Sequence, residues 1–309
     1  MTLEPAQRDF EQRMRLPAAV AAGLAGVLSL VGAFVGTTIP APPEVGVLEA
    51  LTPAFEGQEA APVSPRIGVL EFEQDHFGTL LTSQALTSLG LLCMAVALLY
   101  LFRATDARAV RPVPGVTRYA IYFGPILSAI AGMVFLLVIN AQTADLLDSA
   151  DQSSAAIDDA RTGGIIPWVG GFSLAGLFAT ALALILVALN AMRVGLLTRF
   201  LGILGIIVGV FFILGGQAGP LPMVQAVWLI ALAPLFLLRW PGGNPPAWER
   251  GEAVPWPSQQ ELREARMAAA AERSGGKGAV AAPAAPEADD AAEPAPAPEP
   301  SARKRKRRR

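Results

Sequence analysis

The chain has 309 residues, of which 53% are hydrophobic and 16% are charged, and its formal net charge is −2. An average soluble domain carries about 25% charged residues, so a water-soluble fold of this composition would have too little polar surface to cover itself. One cysteine and one histidine exclude an internal disulfide and a zinc site with the usual number of ligands.

Six apolar runs follow one another, each near the ~20 residues that a helix needs to cross a hydrocarbon core of about 30 Å. Charged residues appear only at the edges of these runs, and one charge at mid-bilayer costs about 2.5–3.5 kcal/mol on insertion scales. The sequence therefore predicts an all-α fold, a polytopic membrane bundle of six transmembrane helices. The predicted spans are 17–38, 79–102, 119–141, 166–190, 200–217 and 221–240.

The N-terminal segment 1–16 places Arg8, Arg13 and Arg15 before the first run, an arrangement that is also typical of secretory signal peptides. The run is longer than the roughly 7–15 apolar residues of a signal peptide, and no A-x-A cleavage site follows it. We therefore expect an uncleaved membrane anchor.

The basic residues predict the orientation, because Lys and Arg near span ends are retained on the cytoplasmic side. With the N-terminus inside, the segments 1–16, 103–118, 191–199 and 239–309 hold 22 of the 24 Lys and Arg. We therefore expect both termini in the cytoplasm, with the protein in the inner (cytoplasmic) membrane. Usage heavy in Ala, Gly and Arg, with three lysines, indicates a bacterial protein.

Two outer loops, 39–78 and 142–165, are acidic. The first is rich in proline and coil-like, and its stretch "RIGVLEFEQ" has a partial alternation that weakly favours a strand; we expect His76 to be a solvated loop residue. The second has a helical bias, and its acids lack the order of a calcium-binding EF-hand loop. We therefore predict solvated acidic loops and no metal site.

Within the bundle, Gly32 with Gly36 and Gly205 with Gly209 have the G-x-x-x-G spacing that lets helices approach closely. We expect these glycines to pack helices within one subunit. Neutral polar residues supply the only polarity at depth, and Gln84, Asn140 and Asn190 are the candidates for a polar lining. The alternative interpretation is that such residues hydrogen-bond between helices. Cys93 is expected to pack as a small apolar residue.

The stretch from Met192 to Phe212 resembles an uncharacterised family of six-span bacterial membrane proteins, which commonly shows an "L-x-R-x-L-G-x-L-G-I" pattern. The matching residues are Leu197, Arg199, Leu201, Gly202, Leu204, Gly205 and Ile206. The resemblance implies the topology and no activity.

The cytoplasmic tail is predicted in two parts. Segment 241–273 is rich in Pro and Trp, with Trp248 and Trp256 either anchored at the membrane surface or in contact with the bundle, and Ser258 with Glu261 forms a capping box that starts a short helix. Segment 274–309 is low in complexity and predicted to be disordered. Its basic end is predicted to contact anionic lipid headgroups. This end is Arg303, Lys304, Arg305, Lys306, Arg307, Arg308 and Arg309.

No residue pattern indicates a catalytic, cofactor-binding or metal site, so we expect no enzymatic activity and no cofactor. The first hypothesis is a scaffold or regulatory membrane component that contacts a protein partner through its cytoplasmic tail. The alternative is a permease for a small solute or lipid, and a third is a structural subunit of a membrane enzyme. Nucleic acid is a disfavoured partner, because no aromatic residues interleave with the basic run.

Overall fold

The computed structural model describes residues 4–43, 55, 64, 66–214, 221–256, 261, 263–264 and 266–269. Among these residues the protein is all-α, with no strand. The chain divides into two compact units, Met1–Trp256 and Pro257–Arg309. In the second unit the described residues are helical. The capping residue Ser258 and the basic run 303–309 lie outside the described residues.

Nine helices lie in the described part of the first unit. They are α1 (Pro5–Thr37), α2 (Ile67–Asp75), α3 (Phe77–Asp106), α4 (Gly115–Leu147), α5 (Ser154–Thr162), α6 (Ile166–Arg193), α7 (Arg199–Ile213), α8 (Leu221–Phe236) and α9 (Pro246–Arg250). Within the described chain, four of them, α1, α3, α4 and α6, are long and apolar enough to cross a membrane. Helices α7 and α8 are equally apolar but have 15 and 16 residues. The fold is thus a helical bundle with the composition of a membrane protein.

The six apolar helices pack in the order α8, α1, α3, α4, α6 and α7; α7 also contacts α8, and α3 also contacts α6. Neighbours run antiparallel: Gly36 near the end of α1 lies beside Ser83 near the start of α3, whereas the Phe10 ring near the start of α1 lies 4.8 Å from the Arg103 guanidinium near the end of α3. We call the end that holds Phe10 and Arg103 the N-terminal end. The opposite end, which carries α2 and α5, is the loop end.

The long helices extend beyond the predicted spans. Helix α1 begins at Pro5 rather than at residue 17, because a proline in the first turn loses no hydrogen bond. Helix α4 covers Gly115–Leu147 rather than 119–141. Hydropathy detects only the apolar part of a helix, whereas each further polar residue still adds a backbone hydrogen bond.

The loop end contains helix α2 where the sequence weakly favoured a strand, and that expectation is wrong. Ile67 and Leu70, three residues apart and therefore on one helix face, pack with Leu146 and Ile157 in a small core. Helix α5 confirms the helical bias of the second loop. It begins where the hydroxyl of Ser153 accepts a hydrogen bond from the N–H of Ala156 at 3.3 Å.

Residues 239–256 fold back against the loop between α6 and α7. The indole N–H of Trp248 donates to the carbonyl of Leu196 at 2.9 Å, and that of Trp256 donates to the carbonyl of Leu197 at 2.8 Å. The backbone N–H of Val254 donates to the carbonyl of Val194 at 3.0 Å. Of the two alternatives for these tryptophans, the structure therefore has contact with the bundle.

A buried ion pair joins α1 to the turn after α3 beneath this segment. The Arg108 guanidinium donates to both carboxylate oxygens of Glu11, at 2.6 and 2.9 Å, and the Arg108 side chain is 0% exposed. Its Nε donates to the carbonyl of Ala247 at 3.0 Å, and its guanidinium carbon lies 5.4 Å from the centre of the Trp248 ring. The Tyr100 ring also stacks with the Trp248 ring, with the ring centres 5.9 Å apart. The N-terminal end is closed by these contacts.

Candidate functional site

A cavity of about 330 Å³ lies inside the bundle, between α3, α4 and α6, with Phe212 of α7 at its edge. Its polar lining consists of neutral groups from three helices: Gln84 and Thr87, Ser128, and Ser173. Phe135 and Leu174 line the same cavity and are 36% and 51% exposed, so its rim lies at the side of the bundle that lipid would cover. We call it the mid-bundle cavity.

Close packing of α4 on α6 holds the polar groups of this cavity in place. A Cβ on Gly124 would lie 2.5 Å from the backbone nitrogen of Thr180, and one on Gly176 would lie 2.6 Å from that of Ser128. The Ser128 and Thr180 hydroxyls share a hydrogen bond of 3.3 Å. Small residues thus let the backbones of the two helices come into contact, and the two hydroxyls hydrogen-bond to each other without a charged partner.

Gln84 is the most polar group in the mid-bundle cavity. Its side-chain N–H donates to the hydroxyl of Ser88 at 3.2 Å, and Ser88 in turn donates to the carbonyl of Ala129 at 3.1 Å. A Cβ on Gly132 would lie 2.8 Å from the Gln84 Nε2, so the glycine makes room for the amide. An amide has two donors and two acceptor positions, and this network uses one donor, which leaves hydrogen-bonding capacity directed at the cavity.

A second cavity, of about 240 Å³, lies at the loop end, and we call it the loop-end cavity. Apolar side chains form most of its wall, and polar groups that include Asn140, Thr143 and His76 lie among them. An ion pair between Glu73 and Arg161 joins α2 to α5 across this cavity. The side-chain oxygen of Gln74, which also lines it, is buried without a hydrogen-bond partner among the described residues.

The two cavities are lined by the same faces of α3 and α4. On α3 the lining residues are Phe77, Leu80, Gln84, Thr87 and Leu91, and on α4 they include Ser128, Gly132, Phe135, Ile139 and Thr143. Steps of three and four residues keep a set of side chains on one helix face. From Phe77 to Leu91 this face extends about 21 Å at 1.5 Å per residue. The two cavities therefore follow one another along the same side of α3 and α4, from the loop end to the middle of the bundle, and we call the two together the groove.

The three predicted lining residues do not meet at one point. Gln84 lines the mid-bundle cavity and Asn140 the loop-end cavity. Asn190 lines neither of them; its Nδ2 donates to the backbone carbonyl of Leu186 at 2.7 Å. Ser128 and Ser173 were not predicted from the sequence. The available signal was their three- and four-residue spacing from Gly132, Gly170 and Leu177 on the same faces.

The four predicted packing glycines lie at close helix contacts within the chain. A Cβ on Gly32 would lie 2.8 Å from the Thr87 Oγ1, and one on Gly36 would lie 3.3 Å from the Ser83 Oγ. On α7, a Cβ on Gly205 would lie 2.8 Å from the Cβ of Ala188, and one on Gly209 would lie 2.6 Å from the Ile185 Cγ1.

His76 is half-buried in the turn between α2 and α3, whereas the sequence analysis expected a solvated loop residue. Its ring lies 4.2 Å from the Phe72 ring in a tilted arrangement, and its Nδ1 donates to the carbonyl oxygen of Phe72 at 2.8 Å. Cys93 is a free cysteine that packs, partly buried, against the main core. In the part of the chain that the structure describes, no group of three or more His, Cys, Asp or Glu could hold a metal ion.

Comparison with protein-family models, with curated proteins and with solved structures finds no match to this chain. The resemblance of Met192–Phe212 to a six-span family stays a prediction.

Proposed function

We propose that this chain is a multi-pass protein of a bacterial inner membrane that binds a small amphipathic, lipid-like molecule in the groove between α3, α4 and α6. In this proposal the molecule moves between the loop end and the surrounding lipid. It is the more specific form of the permease alternative that the sequence left open.

The proposal includes six spans with both termini in the cytoplasm. Helices α7 and α8 would be short spans of about 22 and 24 Å at 1.5 Å per residue, and residues 215–220 between them lie outside the described chain. Helix α7 is antiparallel to α6, because Gly202 and Gly209 of α7 lie against Met192 and Ile185 of α6. Helix α8 is antiparallel to α1, because its Ala233 and Ile230 lie beside Gly23 and Gly26 of α1. These directions support two crossings. In this topology the N-terminal end of the bundle faces the cytoplasm, which is the side where the basic residues lie.

The single observation that carries the function is the groove itself. It combines an apolar wall, neutral polar groups at depth and a rim at the lipid-facing side. Among the residues that the structure describes, no ionisable side chain lines the mid-bundle cavity, so an ion would enter it without a counter-charge, at a cost of several kcal/mol. An uncharged polar group with an apolar body fits these walls, because the amide of Gln84 satisfies the polar group and the apolar residues cover the rest.

Two neighbouring glycines allow a matched test. Gly170 lines the mid-bundle cavity, and its added Cβ would meet the Phe135 ring at an ordinary 3.7 Å, whereas a Cβ on Gly171 would meet no atom of the described residues within 4 Å. The first atom of a leucine side chain therefore fits at Gly170, so Gly170→Leu should occupy the cavity, and Gly171→Leu adds the same atoms outside it. The purified full chain is reconstituted into liposomes with a diazirine-bearing monoacylglycerol, which is uncharged, then irradiated and digested.

Labelling of peptides from α3, α4 and α6 is expected in the wild type and in Gly171→Leu, and about a tenfold loss is expected in Gly170→Leu. Equal labelling of all three proteins on these peptides would overturn the proposal. Gln84→Leu should also lower labelling, with Asn190→Leu as its control, because Asn190 is outside the groove.

A tail-dependent scaffold is the second candidate, in line with the first hypothesis from the sequence. The supporting observation is that the chain is held to the bundle as far as Trp256, by its hydrogen bond to Leu197, and a separate compact unit begins at Pro257. In-cell crosslinking of the full chain should recover protein partners that a version ending at Trp256 loses. Identical recoveries would count against this role.

A further inference from the structure

A positively charged cleft lies between the end of α3 and the start of α4, at the N-terminal end of the bundle. Its volume is about 270 Å³, and Arg103, Arg118 and Tyr122 line it together with Asp106. Both helices have the length and composition of membrane spans, so the cleft lies where such spans leave the hydrocarbon. It is separate from the groove of the proposed function.

Within the described chain, the positive charges of Arg103 and Arg118 are not neutralised by a salt bridge, since the ion pairs there involve other arginines. The Asp106 carboxylate is engaged by the loop instead, because its Oδ1 accepts the backbone N–H of Val113 at 3.0 Å. The Arg103 guanidinium is positioned by the Phe10 ring at 4.8 Å. The cleft thus carries two cations and one anion, which leaves a net positive charge.

The surroundings of the cleft favour a lipid over a soluble anion. Leu99, Phe102 and Val113 form its apolar wall. One helix turn away on α4, Tyr119 and Phe123 are each 65% exposed, with their rings 6.5 Å apart. Exposed aromatic residues are enriched at the level of the headgroups, and a guanidinium binds a phosphate with two parallel hydrogen bonds.

We propose that this cleft binds the phosphate headgroup of an anionic phospholipid, with Arg103 and Arg118 on the phosphate and the Tyr122 hydroxyl as a further donor. The acyl chains then lie over the exposed aromatic side of α4. This site is built into the bundle and is independent of the basic run 303–309.

Arg111 offers a matched control, because it is exposed in the loop between the same two helices and does not line the cleft. The full chain in detergent is titrated with phosphatidylglycerol and with phosphatidylcholine, and native mass spectrometry counts the bound lipids. Arg103→Gln with Arg118→Gln should weaken the tightest phosphatidylglycerol site about 30-fold, at about fivefold per charge. Arg111→Gln should weaken it less than twofold. Arg118→Lys, which keeps the positive charge, should weaken it much less than the single variant Arg118→Gln.

Three outcomes would overturn the proposal. One is an equal loss in Arg111→Gln, which would mean that only net charge matters. The second is equal affinity for phosphatidylcholine, which carries no net charge. The third is displacement of the lipid by millimolar inorganic phosphate, which would assign the cleft to a soluble anion. Circular dichroism of each variant checks that the helices are intact.

Discussion

The buried ion pair between Glu11 and Arg108 makes a quantitative prediction about stability. Glu11→Ala leaves the Arg108 guanidinium, whose side chain is 0% exposed, without a counter-charge. Removal of one partner of a buried pair costs about 3–5 kcal/mol, because the remaining charge stays buried and unpaired. That corresponds to an increase of about 10²- to 10⁴-fold in the unfolding equilibrium constant.

The loop end supplies the control. Arg66 and Asp158 form an ion pair at 2.7 Å whose side chains are 53% and 66% exposed, and such pairs contribute about 0–1 kcal/mol. Unfolding of the full chain by sodium dodecyl sulfate in mixed micelles, followed by circular dichroism, should therefore show a large loss in Glu11→Ala and little change in Asp158→Ala. The double variant Glu11→Ala with Arg108→Met should regain part of the loss, because no buried charge remains. Equal losses in the two single variants would refute the reasoning.

Three further predictions concern the other contacts of the first unit. Gly195→Ala should increase hydrogen exchange of residues 246–256, because Gly195 has φ +81° and an added Cβ would lie 2.0 Å from the Val254 carbonyl oxygen; unchanged exchange would contradict the docking. Gly124→Ala should destabilise the bundle by more than about 1 kcal/mol in the same micelle assay, whereas Gly171→Ala, with nothing within 4 Å, should have little effect. Hydrogen bonds from the hydroxyl and backbone N–H of Ser153 lower the pKa of the exposed Asp151 carboxyl, so their contribution is complete above about pH 4, the unfolded value, and is lost as the pH falls through the folded pKa. After correction for the intrinsic pH dependence of amide exchange, the protection factors at the start of α5 should fall on acidification below that point in the wild type and stay constant there in Asp151→Asn.

The helical class and the positions of the long helices were predictable, because they depend on local composition. An uncharged apolar run of the right length is a helix whether or not its neighbours are known. The bounds were less predictable: α1 continues to Pro5 through residues that hydropathy does not detect. The weak alternation around Ile67 was misleading, since the partners that bury α2, Leu146 and Ile157, are distant in the sequence.

The contacts that organise the N-terminal end were not predictable from local patterns. Glu11 and Arg108 are 97 residues apart, and nothing in the sequence distinguishes Arg108 from the other arginines of its loop. The sequence singled out Trp248 and Trp256 but left open whether they contact the membrane surface or the bundle. They contact the bundle because their indole N–H groups donate to the carbonyls of Leu196 and Leu197, and these carbonyls are accessible only in the folded loop. The groove was found in part, through Gln84 and Asn140, because a polar residue in an apolar run is visible without a partner.

The two ends of the bundle differ in a way that bears on the proposed function. The mid-bundle cavity ends near Leu91 and Phe212, and beyond this level Met94, Leu98 and Leu101 on α3 are 0% exposed. Past them lie the stacked Tyr100 and Trp248 rings and the buried ion pair of Glu11 with Arg108. A molecule in the groove would therefore have to break a packed core and a buried ion pair to leave through the N-terminal end, at a cost of several kcal/mol. Exit past Phe135 and Leu174 into lipid displaces only side chains that are already partly exposed. The arrangement thus favours exchange between the loop end and the bilayer over passage through the whole bundle.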